Sequence, residues 1–292
     1  MPEGHGKAGL QEIYGAIGWP TDPEDPTAIE RFRGIERVMR SLLDKGAFNH
    51  VLGKRQARIL DVMAASGICG VALARVLASR GVKVSLTITD LRKEELDKAP
   101  RWLEKAGISI EVELNVGVAD AIALPRFLEE GGFDIATVWG SSLPHLDSYE
   151  LMLLLAGLRE LQGKEGVLLV EQASILPRIL VSNYFRYVLV EGEALTIFRE
   201  YDDFRGMQRR LAYKLPGLEY IGVVESRLWE ASQITAAVWM FYRDVEVYEL
   251  ISSMPIRRTK IIVASKPREK APSWEELYSV RPRPAGLLEP SP

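Results

Sequence analysis

The chain has 292 residues, 47% hydrophobic, 8% aromatic and 26% charged, proportions that exclude disorder, collagen and coiled coil as the main architecture. Lysine and arginine total 37 against 40 acids, a formal net charge of -3, so the basic excess with which duplex-binding proteins neutralise phosphates is missing and nucleic acid is disfavoured as a partner. The single cysteine, Cys69, excludes an intramolecular disulfide and cysteine-based zinc motifs, and His5, His50 and His145 are too far apart in sequence to form a metal-binding pair on one helix face.

The opening MPEGHGKAGLQEIYG has no apolar core flanked by basic residues. The longest apolar run in a candidate helix, Leu151–Leu158, falls far short of the ~20 residues that a bilayer span needs. The expectation is a cytoplasmic protein without membrane segments. Residues 1–50 read as a helical attachment. Pro20, Pro23 and Pro26 break the chain, Thr27 stands at an N-cap position, and Ile29, Phe32, Ile35, Val38, Met39 and Leu42 follow at helical spacing to about Lys45–Gly46.

From Arg58, strands and helices alternate. RILDVM is a buried strand, followed by a small-residue turn and a helix carrying Val71, Leu73, Ala74 and Leu77 that stops at Gly81. VKVSLTITD is the second strand, LRKEELDKAPRWLEKAG a charged helix interrupted near Pro100, and ISIEVELNVGVAD contains the third strand. A short helix in ALPRFLEEGG, the strand FDIATVWG, the helix SYELMLLLAGLRELQ and the strand GVLLVEQ complete the run. Strands separated by helix-length segments require crossovers, hence a mainly parallel sheet covered on both faces.

After Gln172 the regularity lapses. ALTIFREYDDF, MQRRLAYKL and LEYIGVVESRLW predict a small antiparallel sheet inserted at about 178–230, followed by a helix near Ser232–Tyr242. VEVYELISS and TKIIVASKP, separated by a turn around Pro255–Arg258, are too close for a crossover and must run antiparallel to each other. The body thus spans 51–266, and the proline-rich tail, 267–292, is expected to be extended.

The chemistry concentrates in ILDVMAASGICGVALAR, where small residues bring the backbone close to a ligand and the following helix points its first amides there. Two readings fit this turn. Ala65-Ser66-Gly67-Ile68-Cys69-Gly70 is one substitution from the G-x-G-x-x-G of dinucleotide-binding proteins. Asp61 with the loop after it resembles the D-x-G-x-G-x-G of class I S-adenosylmethionine-dependent methyltransferases, with Met63 and Ala65 at the first two glycine positions and Gly67 at the third. Later segments favour the second. Asp90 ends the second strand, Asp120-Ala121 follows the third, and WGSSLPHLDSYE after the fourth resembles the G-N-S-x-x-H-L run of small-molecule methyltransferases related to glycine N-methyltransferase, with Ser141 where asparagine is common. An antiparallel hairpin closing the sheet also belongs to that fold. The resemblance covers about Arg58 to Lys266 and rests on the order and spacing of these segments.

The resemblance implies a Rossmann-like α/β fold: a mainly parallel seven-stranded sheet with an antiparallel last strand, an N-terminal helical lid and the small β insertion. It implies S-adenosyl-L-methionine as cofactor. Asp61, Met63, Ala64, Ala65 and Gly67 would surround its methionine end, Asp90 its ribose, Asp120 and Ala121 its adenine, with Leu91 also against the cofactor; Trp139, Gly140 and Ser141 would floor the pocket and Tyr14 close it from the lid. Ser142, His145 and Tyr184 would face the acceptor. Each acid also has a structural reading: Asp61 as a helix-capping or structural acid, Asp90 and Asp120 as helix caps. His145 either takes a proton from the acceptor or braces its own loop. Cys69 reads as packing, and His5 and His50 receive no role. Arg205, Arg209 and Arg210 lie among nearly as many acids and read as a solvated surface.

The resulting expectation is a methyltransferase acting by in-line displacement on N or O of a small-molecule acceptor. An RNA or protein methyltransferase, a non-catalytic cofactor-sensing or partner-binding module, and a nicotinamide-dependent oxidoreductase are the alternatives. No metal is expected, and the sequence leaves the acceptor and the oligomeric state open.

Overall fold

In the computed structural model, which describes residues 10–174, 179, 186–250 and 259–283, the N-terminal segment forms helix α1 (Leu10–Ile17), helix α2 (Pro26–Asp44) and the short α3 (Asn49–Leu52). The cap of α2 is Asp25 rather than Thr27: its carboxylate accepts from Thr27 N at 2.8 Å, and Pro26 fills the first helical position, whose amide would have no partner anyway. The apolar stripe Phe32, Ile35, Met39 and Leu42 is buried in the same cluster as the central strands. Phe32 stacks on Trp102 at 5.3 Å, and Trp102 Nε1 donates to Thr21 O at 2.9 Å. Helix α2 is therefore mainly core, and α1 lies across the sheet edge.

Five strands follow in alternation with helices: β1 (Gln56–Val62), α4 (Ile68–Ala78), β2 (Lys83–Asp90), α5 (Lys93–Leu96), α6 (Ala99–Ala106), β3 (Val112–Val118), β4 (Phe133–Val138), α7 (Ser148–Leu161) and β5 (Gln162–Ala173). The charged segment divides into α5 and α6 because Pro100 suits only a first turn. The short helix expected after β3 is a 3-10 helix, Ala121–Arg126, with Pro125 inside it. Ile59, Leu60 and Val62 in β1 are fully buried, as an apolar run covered on both faces must be.

Next comes a separate four-stranded antiparallel sheet, β6 (Val188–Glu191), β7 (Ala194–Asp202), β8 (Met207–Lys214) and β9 (Glu219–Ser226). The sequence pattern misses β6, which has only four residues. Helix α8 (Ala231–Phe241), β10 (Tyr242–Leu250) and β11 (Thr259–Pro267) return the chain to the main sheet, whose order is β10-β11-β5-β4-β1-β2-β3. Strand β11 runs antiparallel to both β5 and β10, and all other neighbours in this sheet are parallel. The expected turn at 255–258 lies outside the described residues. No helix of the described residues is long and apolar enough to cross a membrane.

The tail is not simply extended. Ser273 caps helix α9 (Trp274–Ser279), whose Trp274 donates from Nε1 to Ile122 O at 2.7 Å. Beyond it, Arg281 Nη2 reaches Asp147 Oδ2 at 3.0 Å. Asp147 is 0% exposed and joins three regions. Its Oδ1 accepts from Tyr149 N and Glu150 N at 2.9 and 2.8 Å as the cap of α7, and its Oδ2 also accepts from Arg205 Nε at 2.8 Å, in the turn between β7 and β8. Removing this carboxylate takes a buried partner from two guanidinium groups and the cap from α7. Asp147→Ala is expected to cost about 3–5 kcal/mol in urea unfolding, and to expose the chain beyond 268 to protease.

Candidate functional site at the carboxyl edge of the sheet

The loop between β1 and α4 has left-handed backbone at alternate positions: Met63 at φ 54°, Ala65 at 51° and Gly67 at 74°. Those are the three glycine positions of the motif, so the backbone keeps the glycine conformation where the side chains do not. Non-glycine residues there cost roughly 1–2 kcal/mol each and persist only when their surroundings hold them. Two carboxylates do so. Asp90 Oδ2 accepts from Ala65 N at 2.7 Å, and Asp61 Oδ2 accepts from Gly70 N at 2.7 Å. Asp61 Oδ1 takes the Thr137 hydroxyl at 2.5 Å, tying β1 to β4. At 1% exposure, with both oxygens engaged, Asp61 shapes the loop from within. Gly67 is required for a second reason: a Cβ there would lie 2.3 Å from Ile88 Cδ1.

Along the edge, Asp90 ends β2 with Oδ1 accepting from Arg92 N at 2.9 Å and Arg92 Nε at 3.1 Å. Three of a carboxylate's roughly four acceptor positions are thus occupied. Leu91 beside it is 39% exposed, an apolar side chain left open at the edge. Asp120, after β3, accepts from Ile122 N at 3.3 Å and caps the 3-10 helix, whose first residue, Ala121, is buried. Ala64 N is bonded to Thr89 O at 3.0 Å. The buried hydroxyls of Ser66 and Thr89, in the loop and at the end of β2, have no hydrogen-bond partner among the described residues.

After β4, Trp139 is buried in the core and the chain turns through left-handed Gly140 (φ 82°) and Ser141 (φ 58°). Gly140 N donates to Glu171 Oε2 at 2.7 Å, and Ser142 Oγ lies 2.7 Å from Trp139 O and 3.3 Å from Met63 O, joining this turn to the loop. From α2, Arg31 reaches the same place: a Cβ on Gly140 would lie 2.7 Å from its Nη2. Burial lowers the pKa of Arg31, opposed by Glu171, then Cys69 and Asp61.

His145 closes a 3-10 turn, Leu143–His145, and its Nε2 is hydrogen-bonded to Tyr14 Oη of α1. The Tyr14 ring lies under the Arg92 guanidinium at 4.6 Å. Burial raises the Tyr14 phenol to about 12, with Arg92 opposing. The phenol therefore keeps its proton, and it donates to Nε2 when the imidazole carries its own proton on Nδ1. Tyr14 thus bridges the ends of β2 and β4.

The structure brings together Tyr14, Asp61, Met63, Ala64, Ala65, Gly67, Asp90, Leu91, Trp139, Gly140, Ser141, Ser142 and His145, with Asp120 and Ala121 at the β3 end of the same edge. Tyr184 lies outside the described residues. Of the three arginines read as a solvated surface, Arg210 is instead buried and donates to Thr196 Oγ1 at 3.0 Å, Arg205 is half-buried on Asp147 and Glu225, and Arg209 pairs with Glu225 and the exposed Glu200 nearer the surface. Cys69 is buried, which pushes its thiol pKa well up and keeps it unreactive. Among the described residues no His, Cys, Asp and Glu group of three or more is placed to hold a metal ion. Sequence reasoning missed Arg31, Arg92 and Glu171. Each is one charged residue in a charged helix or at a strand end, with no periodic signal to set it apart.

No family model matches the chain, and no curated protein does. Among solved structures it is similar to the PH0226 protein from Pyrococcus horikoshii OT3, with a TM-score of 0.58 and 15% identity over 88% of this chain and 99% of that one. It is also similar to an S-adenosylmethionine-dependent methyltransferase from Clostridium acetobutylicum ATCC 824, with a TM-score of 0.53 and 14% identity over 77% and 88%. The chain has the class I methyltransferase fold. The antiparallel β11 between β5 and β10 is the element that separates this methyltransferase-type sheet from the dinucleotide-binding one.

Two measurements test the loop. Relieving the left-handed alanine with Ala65→Gly is expected to raise stability by about 1 kcal/mol in chemical denaturation. Burial raises the Asp61 carboxyl to about 6, against the opposing bonds from Thr137 and Gly70. Between about pH 4 and pH 6 the native state then retains a proton that the unfolded chain has released, so its stability falls as pH rises through that window. Relative to Asp61→Asn, the wild type should lose about 3 kcal/mol between those limits; a flat difference in the two melting curves would refute the assignment.

Proposed function

We propose that the protein is an S-adenosylmethionine-dependent methyltransferase acting on a nitrogen or oxygen of a small-molecule acceptor. One observation carries the reading: the three left-handed positions Met63, Ala65 and Gly67, held under strain at the mouth of α4 with Asp90 beside them. Strain maintained at the ligand-binding edge of a parallel sheet points to a site.

The donor set fits that cofactor. Its amino-acid end needs a cation and close backbone, which Arg31 and the loop 63–67 offer. Its ribose needs an acceptor at the end of β2, where Asp90 has an acceptor position left, and its adenine meets Leu91, Asp120 and Ala121. The unpartnered hydroxyls of Ser66 and Thr89 lie within this arc. When bound, the cofactor supplies a sulfonium methyl already activated for displacement. The protein's own work is then alignment and exclusion of water. Tyr14 and α1 cover the edge, and Ser142 fixes the β4 turn against the loop. His145 Nε2 offers a lone pair to the proton of an acceptor N–H or O–H once Tyr14 yields its place. In the same reading the protein works in the cytoplasm and takes no nucleic acid.

Calorimetric titration with S-adenosylmethionine, S-adenosylhomocysteine and NAD is the test. The first two should bind in the micromolar range and NAD should not. Asp90→Ala should weaken S-adenosylhomocysteine by about tenfold or more. Unchanged affinity in that variant would remove Asp90 from the ribose, and binding of none of the three would favour a partner-binding module.

A further inference from the structure

The turn that carries His145 is too short to hold itself. Its internal bonds are His145 N to Ser142 O at 3.2 Å and Leu146 N to Leu143 O at 2.9 Å, the poorer bonds of a single 3-10 turn. It is fixed from outside by the segment leaving the four-stranded sheet. Trp229 Nε1 donates to Leu143 O at 3.0 Å and to Leu146 O at 3.2 Å, and Arg227 N donates to Pro144 O at 2.8 Å. Carbonyls on both sides of His145 are therefore held by two residues of one strap.

The strap is itself anchored at both ends. Gln172 Nε2, at the end of β5, donates to Trp229 O at 3.2 Å. The Arg227 guanidinium lies 4.2 Å over the Trp229 ring and donates to Arg205 O at 3.0 Å. It packs on Gly206, where a Cβ would fall 1.6 Å from its Nη1. Trp229 is 4% exposed, so its indole N–H has no access to water as an alternative partner.

We propose that Trp229 is a positioning residue for His145, holding the histidine's turn so that Nε2 meets Tyr14 and tying its place to that of the four-stranded sheet. What His145 then does chemically rests on the methyltransferase reading; where it is held does not. The bond from the indole N–H is the separable part, because phenylalanine retains an apolar ring and loses only the donor and some volume.

The full chain has three histidines, so its imidazole carbon signals are few enough to assign by NMR with His145→Gln and His50→Gln variants. Tyr14→Phe provides the signal of a His145 ring released from the phenol. In Trp229→Phe the His145 signal and its titration should move toward those of Tyr14→Phe, while the His50 signal stays in place and S-adenosylhomocysteine affinity is unchanged. A His145 signal and titration identical to the wild type would overturn the proposal. Should Trp229→Phe fail to fold, hydrogen exchange on the wild type decides. The Trp229 indole proton should exchange far more slowly than that of Trp239, which is 56% exposed; equal rates would overturn it. If the wild type binds no S-adenosylhomocysteine, the methyltransferase reading fails while the imidazole spectra still report on positioning.

Discussion

Left-handed backbone at Met63, Ala65 and Gly67 is the constraint on which the carboxyl edge depends. Two of these residues pay a steric cost of roughly 1–2 kcal/mol each. Bonds to charged groups contribute about 1.5–3 kcal/mol apiece, and the loop receives one such bond at Ala65 N and another just beyond it at Gly70 N. The Asp90 bond therefore offsets strain of comparable size, while the bonds on Asp61 must also offset the cost of burying its charge. The placement of the two carboxylates follows from topology: Asp61 and Asp90 end neighbouring parallel strands, so the chain between them passes within reach of both.

A second consequence of parallel topology is that every strand of the first half delivers its C-terminal residue to the same edge, while the elements that cover this edge come from elsewhere. Helix α1 precedes the sheet in sequence, yet its last turn is tied to the hairpin between β6 and β7. Glu193 N donates to Ala16 O at 2.7 Å, and Gly192 has no room for a Cβ beside the Ala16 and Ile17 carbonyls. Cover and insertion are joined at that point, and both reach the His145 turn, one through Tyr14 and the other through residues 227–229. The tail reaches the same region by Arg281 and Asp147, two residues beyond His145. Segments distant in sequence thus converge on a turn of three residues.

Much of this fold was legible because burial on both faces forces apolar runs such as RILDV, FDIATV and GVLLVEQ, while KVSLTITD shows the alternation of a strand. The antiparallel pairing of the last two strands followed from the short link between them. Asp90, Asp120 and His145 could be placed at the edge because each stands just after a strand. Other features left no trace in the pattern. Strand β6 is too short for period-two alternation to show. Helix α9 has six residues in a proline-rich context, and its stability derives from Trp274 packing on the body, a tertiary term that local propensity does not contain. Arg31 lies on the α2 helix between apolar residues Ile29 and Phe32, and only the approach of the Gly140 turn makes it part of the site. Met63 and Ala65 stand where the motif has glycine, yet side-chain identity alone does not determine φ when two carboxylates hold the backbone.

The insertion bears on the acceptor through its charges. Nucleic acid binding draws on cations that are free to displace counterions from phosphate. Arg205 is bonded to buried Asp147 and to Glu225, Arg209 bridges Glu225 and Glu200, and Arg210 is buried with its donors on Thr196 and the carbonyls of Arg186 and Tyr187. Each guanidinium is committed within the chain, and releasing Arg205 or Arg210 would strand a buried partner. The cluster that most invites an RNA reading in the sequence therefore works as internal bracing of the cover. These three cations are therefore not free to meet a polyanion, which supports the small-molecule acceptor proposed above over a nucleic acid.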